Sequence, residues 1–89
     1  MNFETSKQFD KQVFKIKDRT VKFRLKKIIE KVAEAKNLDE ISNIMPIVGY
    51  PGYYRIKFGD FRVGISIEDN TVWFLYFGKR DESTYKKFP

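Results

Sequence analysis

The chain of 89 residues has no cysteine and no histidine. The first absence excludes disulfides and thiolate metal sites. The second removes the usual general base near neutral pH and the commonest metal ligand. Any catalysis must therefore come from Lys, Arg, Tyr, Ser/Thr or carboxylates, and no metal or cofactor is expected. No apolar run approaches the length of a membrane span, and the opening MNFETSKQ lacks the hydrophobic stretch of a signal peptide. The expectation is a soluble cytoplasmic protein without membrane contact. The length suits one domain spanning residues 1–89. Nine Phe and five Tyr help so small a chain to bury enough area.

The net charge of +6 is uneven. Residues 1–36 hold eleven Lys/Arg against five Asp/Glu, whereas residues 37–89 hold seven of each. A basic helical surface suits either plain solvation or a polyanion. The neutral half is more telling. Its cations are grouped, while the acids Asp60, Glu68 and Asp69 fall at turns.

A short extended start, Asn2 to Glu4, leads into Thr5-Ser6-Lys7-Gln8, which fits a capping box with Thr5 at the N-cap. Phe9, Val13 and Ile16 recur at helical spacing. Lys17-Asp18-Arg19-Thr20 reads as a break, and Val21, Leu25, Ile28, Val32 and Ala35 form the stripe of a second amphipathic helix. Asn37 is its stop. The segment Leu38 to Met45 suits either a helical turn or a path toward the sheet. Pro46, Gly49, Pro51 and Gly52 then punctuate the chain before three strands, Tyr53–Phe58, Phe61–Ile67 and Thr71–Phe77. Val63, Ile65 and Ile67 share the helix-facing side with Tyr54, Ile56 and Phe58, and simple alternation adds Val72, Phe74 and Tyr76. The other side then carries Trp73, Leu75 and Phe77, which want a cover from the tail, Asp81 to Pro89, or from a partner. The fold class is α+β: a short N-terminal strand and two helices packed on one face of a small antiparallel sheet, in the order β-α-α-β-β-β.

Gly59-Asp60 reads as a two-residue hairpin turn. It sets Phe58 opposite Phe61 and Lys57 opposite Arg62, so Arg55, Lys57 and Arg62 share a face, with Gly64 beside Arg55 adding no bulk. Like charges directly opposite each other destabilise a ladder by about 0.2–1 kcal/mol. Three cations gathered beside a glycine look like a phosphate site, although each alone reads equally as a solvated strand residue. With Phe77 opposite Arg62, Arg80 leaves the third strand next to Arg62.

With this order and the pieces Tyr54–Phe58 (YRIKF), Phe61–Val63 (FRV), Gly78–Arg80 (GKR) and Tyr85, the chain resembles the RelE/ParE superfamily of type II toxin–antitoxin toxins, on the branch of the RelE-like mRNA endonucleases. The resemblance covers nearly the whole chain. It implies a mRNA interferase that cuts in the ribosomal A site without a metal, by attack of the ribose 2′-OH on the adjacent phosphate. It also implies a cognate antitoxin, mRNA and the ribosome as partners. The implied catalytic residues are Arg55, Lys57, Arg62, Arg80 and Tyr85. Lys57 is the candidate base, Arg55 and Arg62 would clamp the non-bridging oxygens, Arg80 would serve the leaving oxygen, and Tyr85 would stack on a base or orient the 2′-OH. Trp73 reads as core or antitoxin interface. The chain departs from the family where Arg55 replaces a frequent lysine, where no histidine follows the third strand, and where Gly64-Ile65-Ser66 lacks a frequent tyrosine. Two other readings stay open: a ParE-like inhibitor of DNA gyrase without nuclease chemistry, and a catalytically degenerate RNA-binding family member.

Overall fold

The structure, a computed structural model, describes residues 1–80 together with Phe88. The element order is β1 (Asn2–Thr5), α1 (Lys7–Lys15), α2 (Arg19–Glu34), a 3-10 turn (Leu38–Glu40), β2 (Ile44–Pro46), β3 (Tyr53–Phe58), β4 (Phe61–Glu68) and β5 (Thr71–Lys79). The strands form one five-stranded sheet in the order β1-β5-β4-β3-β2. The α+β class holds, with two refinements. The ambiguous segment before Pro46 yields both a 3-10 turn and the short edge strand β2. The sheet is mixed, because β1 runs parallel to β5 while every other pair is antiparallel.

Helix α1 starts one residue later than the capping-box spacing suggests. Thr5 is still pairing with Phe74, so Ser6 becomes the N-cap and its Oγ accepts from Phe9 N at 3.0 Å. Asp18 caps α2 by accepting from Thr20 N at 2.8 Å and Val21 N at 3.2 Å. Helix α2 closes at Ala35, and Asn37 instead caps the 3-10 turn through Asp39 N at 3.0 Å. Both apolar stripes are buried as their spacing requires. Phe9, Leu25, Val32 and Ala35 are in the core, with Val13, Ile16, Val21 and Ile28 packed against it.

The hairpin turns follow the local chemistry. Gly59 has φ +58° and Asp60 does not share the left-handed region, the geometry of a glycine-first two-residue turn. Asp69 and Asn70 both have positive φ, which these two residue types tolerate best after glycine.

Strand β5 breaks the simple alternation. Gly64 faces Tyr76 while the next residue, Ile65, faces Phe74, so Leu75 is an extra residue bulged out of the ladder. Beyond it the sides exchange. Phe77 turns into the core at 2% exposure, and Tyr76, at 1%, joins the face bearing Arg55 and Arg62. The expected placement of Tyr76 toward the helices and Phe77 away from them is therefore reversed.

The bulge is possible because α1 supplies the partners that β1 is too short to give. Ser6 Oγ donates to Leu75 O at 3.2 Å, and Gln12 Oε1 accepts from Phe77 N at 2.8 Å. A buried backbone donor stripped of its acceptor costs about 1–3 kcal/mol. Gln12→Ala should therefore lower unfolding free energy by about that amount, or roughly 4–8 °C in Tm per kcal/mol for a domain of this size. Urea and thermal denaturation of the two proteins check this, and an unchanged Tm would mean the bulge is held by other contacts.

Candidate active site

The site lies on the sheet face away from the helices, built from the alternate residues of β3, β4 and the end of β5. The register puts Tyr53 opposite Ser66, Arg55 opposite Gly64 and Lys57 opposite Arg62. Across β4, Ser66, Gly64 and Arg62 face Trp73, Tyr76 and Gly78. Arg55, Lys57 and Arg62 thus share one face as the hairpin implied. Lys57 and Arg62 form the pair next to the turn-closing pair, which makes no hydrogen bonds across the ladder and brings side chains close. Consistent with this, Lys57 N–H points away and donates to Asn43 O at 2.9 Å. Lys57 is exposed, while Arg55 and Arg62 are half-buried.

Arg80 lies elsewhere than expected. The bulge shifts the register by one, so Arg62 faces Gly78 rather than Phe77. Arg80 N donates to Asp60 O at 3.0 Å, which sets Arg80 beside the β3–β4 turn. It is the residue just past the end of β5, exposed beside the turn that Arg62 closes. Tyr85 lies outside the described residues, as does most of the tail expected to cover this face. Trp73 is not core; it is 39% exposed on the outer side.

The arginines are tied down in different ways. Arg62 folds back on its own hairpin, with Nη1 donating to Gly59 O at 2.8 Å and Phe61 O at 2.6 Å. A guanidinium has five donor hydrogens, so these contacts fix the group and leave Nε and Nη2 for an anion. Arg55 Nη2 donates to Phe88 O at 2.9 Å. The Phe88 ring lies beside Tyr76, with centroids 6.0 Å apart and planes at 26°. It meets Tyr53 edge-on at 6.3 Å and 65°. These three aromatics surround Gly64, and sequence reasoning missed their convergence. The signal was partial: Gly64 stood out, but only the bulge brings Tyr76 to its side.

Chemically, the face offers fixed positive charge with forked donors and a flexible amine, suited to a phosphodiester. Among the described residues no group of acidic side chains is disposed to hold a metal ion. No described helix is long and apolar enough to cross a membrane.

Comparison with known proteins gives the fold its family. A model described as the ParE toxin of type II toxin–antitoxin systems, parDE, matches residues 3–84. Toxin RelE3 of Methanocaldococcus jannaschii is 36% identical over 70 residues, 78% of each chain. A chain of the RelB-RelE antitoxin–toxin complex from Methanococcus jannaschii superposes with a TM-score of 0.79 and 31% identity, covering 100% of both chains. A double-arginine mutant of the Escherichia coli toxin RelE in the free state has a TM-score of 0.75 at 23% identity, covering 98% of this chain and 90% of its own, a likeness of fold alone. The chain belongs to the RelE/ParE superfamily of type II toxin–antitoxin toxins, as a RelE-like member.

Proposed function

We propose that this toxin is a ribosome-dependent endoribonuclease that cuts mRNA in the cytoplasm and so stops translation, and that a cognate antitoxin restrains it. The observation that carries the reading is the register of β3 and β4, with Arg55, Lys57 and Arg62 on one face and Arg80 at its turn end. A protein that only docks on another has no need to oppose two cations across a ladder. The archaeal RelE relative was solved with its RelB antitoxin, which supports the partner.

In the proposed reaction a ribose 2′-oxygen attacks the adjacent phosphorus while Lys57, as the amine, accepts the hydroxyl proton. The bond from phosphorus to the 5′-oxygen breaks, and that oxygen takes a proton from water as it leaves. The products are a 2′,3′-cyclic phosphate and a 5′-hydroxyl. Arg55 and the unengaged nitrogens of Arg62 hold the non-bridging oxygens as negative charge grows on them. Arg80 serves the leaving oxygen, and Tyr85 orients the nucleotide being cut. The cluster can bind a phosphate but has no evident means of holding two flexible nucleotides in line. In-line positioning is a large part of such a barrier, and the ribosome would supply it.

The family model's own description favours a second reading, that of a ParE-like inhibitor of DNA gyrase. Pulse labelling after expression without antitoxin separates the two. Methionine incorporation should collapse first. If it persists while DNA synthesis or supercoiling fails, the gyrase reading replaces this one.

Purified RNA without ribosomes should be cut slowly, whereas ribosomes programmed with mRNA should give cleavage within the A-site codon. Primer extension on both samples reads the difference, and equal rates would remove the ribosome from the mechanism.

Arg62→Ala should abolish toxicity with stability within about 1 kcal/mol of the parent, because surface contacts are weak and relief of the Lys57 repulsion offsets the lost turn bonds. Growth assays and thermal melts test the halves separately. A toxic variant, or one melting far lower, would make Arg62 structural.

A further inference from the structure

On the helix side of the sheet lies a cavity of about 410 Å³ that the outer-face site does not use, between α2, the bend at residues 41–43 and the end of β3. It forms because β2 stops short. The last β2 pair toward the hairpin is Ile44 with Ile56, and Lys57 N donates to Asn43 O at 2.9 Å. Asn43 turns the chain away there in the left-handed conformation, at φ +60°. Beyond that point no strand among the described residues covers the outer edge of β3.

The floor of the cavity is apolar, built from Ile28, Val32, Ile41, Ile56 and Phe58. Its rim carries Arg24, Lys27, Lys31 and Lys57, and among the described residues no acidic side chain lines it. Arg24, Lys27 and Lys31 recur at three- and four-residue spacing, so they stand along one side of α2 for about two turns. Arg24 lies 4.9 Å over the Phe58 ring, and Lys27 lies 5.3 Å over Phe23 and 4.0 Å from Glu30 Oε1. Cations grouped around a low-dielectric floor repel one another, and an anion among them is attracted by all of them together.

We propose that this cavity binds a soluble acyl carboxylate of medium chain length, with the chain on the floor and the carboxylate at the cationic rim. The volume falls in the range of small-molecule sites, roughly 300–1,000 Å³. Four of the five floor side chains are branched aliphatics, and Arg24 already lies over the one ring, which favours an alkyl chain over an aromatic acid. Lys57 lines the cavity and also belongs to the outer-face cluster, so the two sites meet at one residue. Binding here does not depend on the nuclease reading.

The probe is decanoate below its micelle-forming concentration, titrated into the full chain and followed by methyl resonances. Those of Ile28, Val32, Ile41 and Ile56 should shift, while those of Val63, Ile65 and Val72, buried elsewhere in the core, stay fixed. Each methylene removed should weaken binding about fourfold, so octanoate should bind about fifteenfold less tightly. Decanol, which keeps the chain and lacks the charge, should bind more weakly than decanoate. Added salt should weaken decanoate and leave decanol unchanged. Lys27→Glu with Lys31→Glu reverses two exposed rim charges without touching the floor, and should bring decanoate down to the level of decanol.

Methyl resonances that stay fixed across the titration would overturn the proposal, and the parent protein alone gives that result. So would equal affinity for decanoate and decanol, or a double variant that binds decanoate like the parent. A short peptide of glutamate and leucine that shifts these methyls where decanoate does not would make the cavity a protein-docking groove and equally refute an acyl anion.

Discussion

The site depends on one extra residue in β5. The bulge at Leu75 lets a single strand serve two faces, sending Phe74 and Phe77 into the core and Trp73 and Tyr76 outward. Without it, strict alternation would aim Phe77 at the cations and bury Tyr76 among the helix contacts. A bulge leaves ladder groups without partners, and helix α1 satisfies them through Ser6 and Gln12. Ser6 has two tasks, since the hydroxyl that donates to Leu75 O also accepts from Phe9 N at the start of α1. The beginning of the helix and the irregularity of the strand are one hydrogen-bonded unit.

On that frame the core and the cationic face perform different work. The inner side is aromatic and tightly packed, with Phe61 and Phe77 stacked at 5.2 Å and 12° and Phe58 beside them at 5.8 and 6.0 Å. Arg24 of α2 lies 4.9 Å over the Phe58 ring, so even the basic helix has a cation engaged at the hairpin. This packing holds the β3–β4 turn rigidly, and the turn in turn fixes Arg62 through Gly59 O and Phe61 O. A strand pair that accepts Lys57 facing Arg62 needs such support from behind. The stacked aromatic layer behind the hairpin supplies that support.

Much of this was legible in the sequence because it follows from local rules. Period 3.6 located both helices, Gly59-Asp60 set the hairpin register residue by residue, and that register alone brought Arg55, Lys57 and Arg62 together. The parts that escaped are those that local rules do not govern. The bulge has no marker in Trp73-Phe74-Leu75-Tyr76, because its stabilising partners lie some seventy residues away in α1. That one shift misplaced Tyr76, Phe77 and the neighbour of Arg80. The capping error had the same origin: Thr5 is a good N-cap in isolation, but its pairing with Phe74 keeps it in the strand. The role of β2 was equally hidden, since three residues with a proline carry too little pattern to read as a strand.

The parallel pairing of β1 with β5 joins Asn2 to Thr71, the first strand to the last. Contacts of such high sequence separation form late, after the loop they close has been ordered. In a chain made from its N-terminus, β1 has no partner until β5 has emerged, and α1 cannot deliver Ser6 and Gln12 to a bulge that does not yet exist. The bulge that turns Tyr76 onto the side of Arg55 and Arg62 is therefore braced after the local β3–β4 hairpin that already sets Arg55, Lys57 and Arg62 on one face. The first four residues to leave the ribosome are thus among the last to find their place, and the seam between the first strand and the last is the closing step of the sheet.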